Sequence, residues 1–393
     1  MRGNADDPAV NFALQNGADD AMNDYRAKTM LADGGCGVLT IDLGALARNY
    51  RKLKETAAPA AVAAVVKADA YGLGAGLVSE RLYAEGCRHF FVAHFVEAVR
   101  LRPTLPVEAT LLVLNGLMPG EEEHAADLGV TPVINCLEQA AAWATEAKVR
   151  GTRLKAAIQI DTGMSRLGLS EADVASLRAD SLFAEAVEPI LLMSHLACAD
   201  TPAAPASAGQ LAVMQRVAAH FPGLPVSLAN SGGVFLGGAF HFALARPGIA
   251  VYGGAPVSDV ANPMEPVVRI DIPVIQARTV PAGTAVGYGG TFVTTGETRL
   301  ATLSGGYADG IPRHLSSSGA LYYQGVRLPI AGRVSMDSLT VDASALPEGG
   351  LRLGTMVEFV GPSQSLEQVA ADAGTISYEI LTRLGRRYRR VYI

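Results

Sequence analysis

The sequence predicts an α/β chain: an N-terminal (β/α)8, TIM-like barrel followed by a C-terminal, mainly β-strand domain. Three observations carry this reading. At 393 residues the chain exceeds what one hydrophobic core ordinarily organises, so more than one domain is expected. Short apolar runs recur at regular intervals through the first two-thirds, and most gaps between them have room for a helix and two loops. From about Met264 the texture changes to short strand-like runs separated by Gly- and Pro-containing turns.

In chain order, residues 1–37 are polar, acidic and glycine-rich near their end, and read as a flexible extension outside the fold. A helix is expected from about Leu43, where Leu46, Tyr50 and Leu53 fall at helical spacing and Arg48, Lys52 and Lys54 cover the other side. The barrel, residues 38–263, draws its strands from Val62–Val66, Phe90–His94, Leu111–Leu114, Pro132–Asn135, Ala156–Ile160, Ile190–Ser194, Val226–Ala229 and Ile249–Tyr252. An open doubly wound sheet is the alternative arrangement of the same runs. The second domain, 264–393, contributes Val267–Val274, Gln276–Val280, Arg299–Thr302, Leu321–Tyr323, Leu328–Ile330, Leu339–Val341 and Met356–Val360, with a helix only at Ile376–Leu384.

Composition excludes several classes. The net charge of −6 argues against a nucleic-acid partner, which needs a basic surface. The run Arg386, Arg387, Arg389 and Arg390 is broken by Tyr388 and reads as a solvated face or an interface edge. Cys36, Cys87, Cys136 and Cys198 show no CxxC spacing, which favours free thiols in a reducing compartment over disulfides or a metal site. The charge-free window 224–245 contains Asn230, Ser231, His241 and four glycines, so no membrane span is expected. Asp6, Asp7, Asp19, Asp20 and Asp24 interrupt the N-terminus, which carries no secretory pattern; a cytoplasmic location is expected.

Lys67 ends the first apolar run, in Val65-Val66-Lys67-Ala68-Asp69-Ala70-Tyr71-Gly72. On a barrel, the C-terminal strand ends face the active site, and a lysine in a partly apolar mouth loses some of its preference for charge, as a nucleophilic amine requires. By position alone it is more simply a rim lysine whose stem packs and whose ammonium reaches water. Asn230-Ser231-Gly232-Gly233 and Arg246-Pro247-Gly248-Ile249 change that weighing. They fall at the seventh and eighth strands, where such barrels bind phosphate, and supply hydroxyl and backbone N–H groups that can surround an anion.

These segments resemble the alanine racemases. The resemblance continues through Asp161-Thr162-Gly163-Met164-Ser165-Arg166-Leu167-Gly168, Ser194-His195-Leu196-Ala197, Gly287-Tyr288-Gly289, Gly306-Tyr307-Ala308-Asp309-Gly310, Val334-Ser335-Met336-Asp337 and Tyr378-Glu379-Ile380. The blocks keep the family's order and span residues 38–393. Each is weak alone; together they are specific. The resemblance implies a homodimeric, pyridoxal 5'-phosphate-dependent racemase that interconverts L- and D-alanine, in a bacterium for peptidoglycan. Lys67 would hold the cofactor covalently and act as one base; Tyr288, from the partner chain, would be the other. Two bases on opposite faces allow inversion at the α-carbon. A chain from Tyr288 through His195 to Arg246 would favour the phenolate, and Arg246 would also face the cofactor's ring nitrogen and leave it unprotonated. Phosphate contacts would come from Tyr71, Ser231, the backbone of Gly248 and Ile249, and Tyr378, with Asn230 beside them. The substrate carboxylate would meet Arg166 and the Met336 N–H of the partner chain, while Asp337 shapes that side and Tyr307 and Tyr378 narrow the entrance.

Three residues depart from the family pattern. Asp69 stands where Asn is usual and Leu73 where His is usual. Gln159 replaces a lysine that many relatives modify to a carbamate, so Arg166 would be oriented by an amide or by a bound anion. A broad-specificity or serine racemase is the nearest rival, because a methylene or hydroxyl changes selectivity only modestly. A decarboxylase of the same cofactor fold is disfavoured by Arg246, where those enzymes use Glu. A non-catalytic cofactor-binding protein is disfavoured by the joint presence of Lys67 and Tyr288.

Overall fold

The computed structural model describes residues 35–393. The expected extension, 1–37, lies outside the described residues except for Gly35, Cys36 and Gly37; Cys36 is buried and Gly37 opens strand β1 (Gly37–Ile41). Two compact units follow: residues 43–267, and a second made of 268–393 together with residues 35–42.

The 43–267 unit opens on the helix Leu43–Ala57, which buries Leu46, Tyr50 and Leu53, the face its apolar spacing predicts. Strands β2 (Ala61–Val62) and β3 (Ala64–Val65) come next, then β4 (His89–Val92), β5 (Thr110–Val113), β6 (Thr131–Ile134), β7 (Leu154–Gln159), β8 (Val187–Met193), β9 (Val226–Ser227) and β10 (Leu244–Ala245). Strands β3 to β9 form one parallel sheet in sequence order. Helices between them bury apolar faces, as Ala140, Trp143, Ala144 and Ala147 do on Leu137–Arg150. That alternation of parallel strand and helix is what the near-continuous apolar runs foretell.

The sheet closes on itself. Strand β10 pairs in parallel with β2, Leu244 opposite Ala61 and Ala245 opposite Val62. On its other side Ala243 N–H donates to Val226 O at 3.0 Å and Arg246 N–H to Ala229 O at 2.8 Å. The eighth barrel strand is therefore Leu244–Ala245, not the expected Ile249–Tyr252. The latter is a buried turn, with Val251 N–H donating to Gly248 O and Tyr252 N–H to Ile249 O. Both structures bury an apolar run, so apolarity alone could not separate them.

The second unit is mainly β, and besides the strands described below it holds β12 (Ala285–Val286), β13 (Phe292–Val293), β15 (Ala320–Tyr323), β16 (Val326–Pro329) and β17 (Leu339–Asp342). Its long strand β11 (Val268–Val280) merges the two runs expected on either side of Ile275, with a register shift between Val274 and Gln276. That irregularity lets one half pair with β1 and β18 (Met356–Val360), while the other half pairs with β14 (Thr298–Leu303). Strand β1 also pairs in parallel with β19 (Tyr388–Tyr392), so residues 38–42, which the sequence reading counts with the barrel, belong to this unit. A helix at Leu366–Asp372, which the sequence reading lacks, precedes the expected one, here Ser377–Thr382. Among the described residues no helix is long and apolar enough to cross a membrane. Cys36 and Cys87 are buried, Cys136 and Cys198 partly so, and all are unpaired.

Candidate active site

Lys67 stands directly after β3 and Val66, at the C-terminal rim of the barrel. The four residues that follow, Ala68, Asp69, Ala70 and Tyr71, all have φ between 52° and 57°. None is glycine, and left-handed backbone costs roughly 1–2 kcal/mol per residue. Such strain persists only where surroundings over-determine it. Here Ala68 N–H donates to Glu97 Oε1 at 2.5 Å, Ala70 N–H to Val66 O at 2.9 Å, and Ala75 N–H to Asp69 Oδ1 at 2.8 Å. Asp69, one departure from the family pattern, thus serves as an acceptor, a role its carbonyl-bearing counterpart could also fill. Leu73, another departure, is fully buried. Burial lowers the proton affinity of Lys67, Arg166 lowers it further, and Glu97 opposes both.

The left-handed turn places Tyr71 against Gly248: a Cβ there would lie 2.2 Å from the Tyr71 hydroxyl. Ser231 completes this corner, its Oγ accepting from Gly248 N–H at 2.9 Å and from Ala250 N–H at 3.3 Å. Ile249 is buried between them in sequence. Two hydroxyls and a backbone kept open by glycine form a cradle whose donors suit a phosphate, so the residues present fit a phosphate-bearing cofactor. Asn230 braces the corner: its Oδ1 accepts from Gly233 N–H at 3.0 Å and its Nδ2 donates to Leu196 O at 3.1 Å.

Arg246 is buried, donates to Ser227 Oγ and to Ser194 O, and lies over the Phe91 ring at 5.9 Å. Burial brings its pKa down to about 10, so it keeps its charge at neutral pH without a carboxylate partner. His195, just past β8, is pushed down to about 3 by burial and then by the charges of Arg246, Arg166 and Lys67. It is therefore a neutral imidazole.

Arg166 is exposed on the loop after β7. Asp161 Oδ1 pins that loop by accepting from Gly163, Met164 and Ser165 N–H groups at 2.9–3.1 Å. Those bonds outweigh burial and hold its carboxyl below the usual range. Gln159 is buried at the root of the loop. Behind the loop, Gln210 Nε2 donates to Thr162 Oγ1 at 3.1 Å and to His195 O at 2.8 Å, and Thr162 bonds Ser194 Oγ at 2.7 Å.

The remaining predicted residues lie in the β unit. Tyr288 is 71% exposed, set between glycines with positive φ at 287, 289 and 290. Tyr307, Met336 and Tyr378 are also exposed. The first two share a loop pair: Tyr307 N–H donates to Ser335 O and Ala308 N–H to Met336 O, both at 3.0 Å. Gly306 permits this approach, because a Cβ there would lie 2.3 Å from the Ser335 and Met336 carbonyl oxygens. Arg387 fastens both loops, bonding the buried Asp309 at 2.7 and 2.8 Å and Asp337 at 2.7 Å. This part of the basic C-terminal run is thus an internal clamp, half-exposed, and not only a solvated face.

Sequence reasoning missed Glu97, Ser194, Gln210, Ser227 and Arg387 as supports of the site. His94-x-x-Glu97 has capping-box spacing and could have flagged Glu97. Asp161-x-Gly163 is a turn signature that lay within a quoted motif. Gln210 and Arg387 act across long sequence separations and leave no local signal.

The comparisons agree with this geometry. The model of the alanine racemase N-terminal domain matches residues 41–256, and that of the C-terminal domain residues 267–392. A catabolic alanine racemase of Agrobacterium fabrum is 58% identical over 93% of this chain and 95% of its own length. An alanine racemase of Brucella canis is 52% identical over 91% and 93%. The crystal structure of alanine racemase from Bartonella henselae, which carries covalently bound pyridoxal phosphate, has a TM-score of 0.88 at 44% identity, covering 91% of this chain and 99% of that one. Both domains, in order and nearly end to end over the described residues, place this chain in the alanine racemase family.

Proposed function

We propose that this chain interconverts L- and D-alanine with pyridoxal 5'-phosphate, Lys67 and Tyr288 acting as bases on opposite faces of the substrate. The observation that carries the reading is the convergence at one barrel rim of a lysine with reduced proton affinity, the Ser231–Gly248–Tyr71 cradle and the buried Arg246. When bound, the cofactor supplies an aldehyde that joins an amine and a conjugated ring that withdraws electron density from the α-carbon.

Lys67 Nζ would carry the cofactor and, once the substrate amine takes its place, accept or return the α-proton on one side. Tyr288 Oη would do the same on the other. Ser231, Tyr71, the Gly248 and Ile249 backbone and Tyr378 would hold the phosphate, with Asn230 fixing the corner. Arg246 would donate to the ring nitrogen, which a guanidinium leaves unprotonated. Neutral His195 can accept from Arg246 and donate onward, and so pass hydrogen-bond polarisation toward Tyr288. Arg166 would bind the substrate carboxylate, with Gln159 or an anion beside it setting its direction. Met336 N–H would bind the same carboxylate, and Asp337 and Tyr307 would line that side.

Tyr288, Tyr307 and Met336 stand exposed on the β unit, as residues offered to a second copy would. A homodimer that shares its sites is therefore part of the proposal. So is a cytoplasmic location, supported by the unpaired cysteines. The D-alanine formed would serve peptidoglycan. The relatives at 58% identity are named catabolic, which favours a second reading in which D-alanine is consumed as a nutrient.

Incubating the enzyme with single amino-acid enantiomers in deuterated water tests the reaction. Deuterium should enter the α-carbon of alanine with inversion. Carbon dioxide release would refute the racemase reading, and faster exchange into serine, lysine or arginine would reassign the substrate.

A further inference from the structure

The left-handed turn behind Lys67 is gripped by the side chain of Glu97. Glu97 sits in the helix Phe95–Leu101, which follows β4, the strand paired with β3, whose end leads into Lys67. Its Oε1 accepts from Ala68 N–H at 2.5 Å. Its Oε2 accepts from Ala93 N–H at 2.7 Å and from His94 N–H at 3.0 Å. One carboxylate thus ties the residue immediately after Lys67 to the end of the neighbouring strand.

We propose that Glu97 is a positioning residue for Lys67: its two carboxylate oxygens brace the strained turn 68–71 against the end of β4, which no neutral side chain of that shape can do. A glutamine in its place has one acceptor oxygen. That oxygen would stay with the two N–H groups of Ala93 and His94, and the amide NH2 would then face the Ala68 N–H, donor against donor. The helix remains capped while the turn loses its brace. Glu97 also acts on Lys67 by charge. In this unit the charges that act on the amine are Glu97 and Arg166, and His195 beside it is neutral. Removing the carboxylate leaves Arg166 unopposed and lowers the pH at which Lys67 titrates.

The inference rests on Lys67 as the cofactor lysine, and its test separates the two claims. Apoprotein of the full chain is mixed with pyridoxal phosphate, and borohydride-trapped attachment at Lys67 is followed by peptide mass across pH. Failure of the wild-type chain to attach the cofactor at Lys67 would refute the proposed function itself. Given attachment, Glu97→Gln should lower the high-pH plateau rate about tenfold, since small misplacements of a reacting group carry large rate penalties. Its midpoint should move down by about half a pH unit or more. Glu97→Asp, which keeps the charge on a shorter arm, should return the midpoint to the wild-type value with the plateau still about threefold low. A glutamine variant with wild-type plateau and midpoint would overturn the proposal. So would a lowered plateau with an unmoved midpoint, which loss of packing alone would give. If the glutamine variant does not fold, Glu97→Asp decides: a wild-type plateau overturns the positioning role.

Discussion

The cofactor cradle of the barrel unit and the site residues of the β unit are presented in opposite ways. On the barrel, Arg246, Ser231 and Tyr71 are buried, and Arg246 and Ser231 are bonded to named groups. On the β unit, Tyr288, Tyr307, Met336 and Tyr378 are all exposed by 40% or more. The first set is organised by its own unit before any ligand arrives; the second is held out on braced loops. A cofactor needs the former, because a pre-set cradle costs little reorganisation on binding. A residue supplied to another chain's site needs the latter.

The contrast predicts that substitutions in the buried barrel set impair cofactor retention, whereas those at Tyr288, Tyr307 and Met336 impair turnover with the cofactor still bound. The largest effect should come from Lys67→Ala, which should abolish covalent cofactor absorbance and reduce racemisation by about 10⁴-fold or more. Tyr288→Phe should cost about 10²–10³-fold in turnover while the absorbance and thermal stability stay at wild-type values; loss of the absorbance would break the division of labour. Gly248→Ala sets a methyl against the Tyr71 hydroxyl and should weaken cofactor affinity about tenfold, read by equilibrium titration of apoprotein.

Smaller effects concern the loops and the pH dependence. Arg387→Ala removes the partner of buried Asp309 and should cost about 2 kcal/mol in denaturant unfolding. It should also raise KM for alanine more than it lowers kcat, because the Met336 loop loses its clamp. His195, held down to about 3, is neutral in the folded protein where the unfolded chain would be charged. Its contribution to stability is complete above the imidazole's ordinary pKa of about 6.5 and is lost as pH falls from there toward 3. An imidazole NMR titration should show no midpoint for His195 near pH 6.5.

Much of the site was legible because it is written in short, contiguous blocks. Lys67-Ala68-Asp69-Ala70-Tyr71, Asn230-Ser231 and Arg246-Pro247-Gly248 each carry their chemistry and their turn together. The barrel was legible through the period of its apolar runs, and the β domain through its turn density. What failed was whatever depends on a distant partner. The strand Leu244–Ala245 is defined by Ala61 and Val62, far back in the chain, and so the buried turn at Ile249–Tyr252 read as the better strand. Gly37–Ile41 has too few residues for a periodic signal and becomes a strand only against Val268–Asp271 and Tyr388–Tyr392. Glu97 reads as a helix-start acid, while the bond that distinguishes it reaches a residue 29 positions earlier.

The placement of β1 between β11 and β19 has a consequence for how the chain is made. The whole barrel is inserted between the first strand of the β unit and the rest of it. On a ribosome adding roughly 5–20 residues per second, the apolar strand Gly-Val-Leu-Thr-Ile waits tens of seconds for its second neighbour. The barrel can be finished before its host sheet has begun. Removing the final strand would leave one edge of β1 permanently open, a template for pairing between chains. Tyr388–Tyr392 thus closes an edge of β1 that stays open until the chain is almost complete.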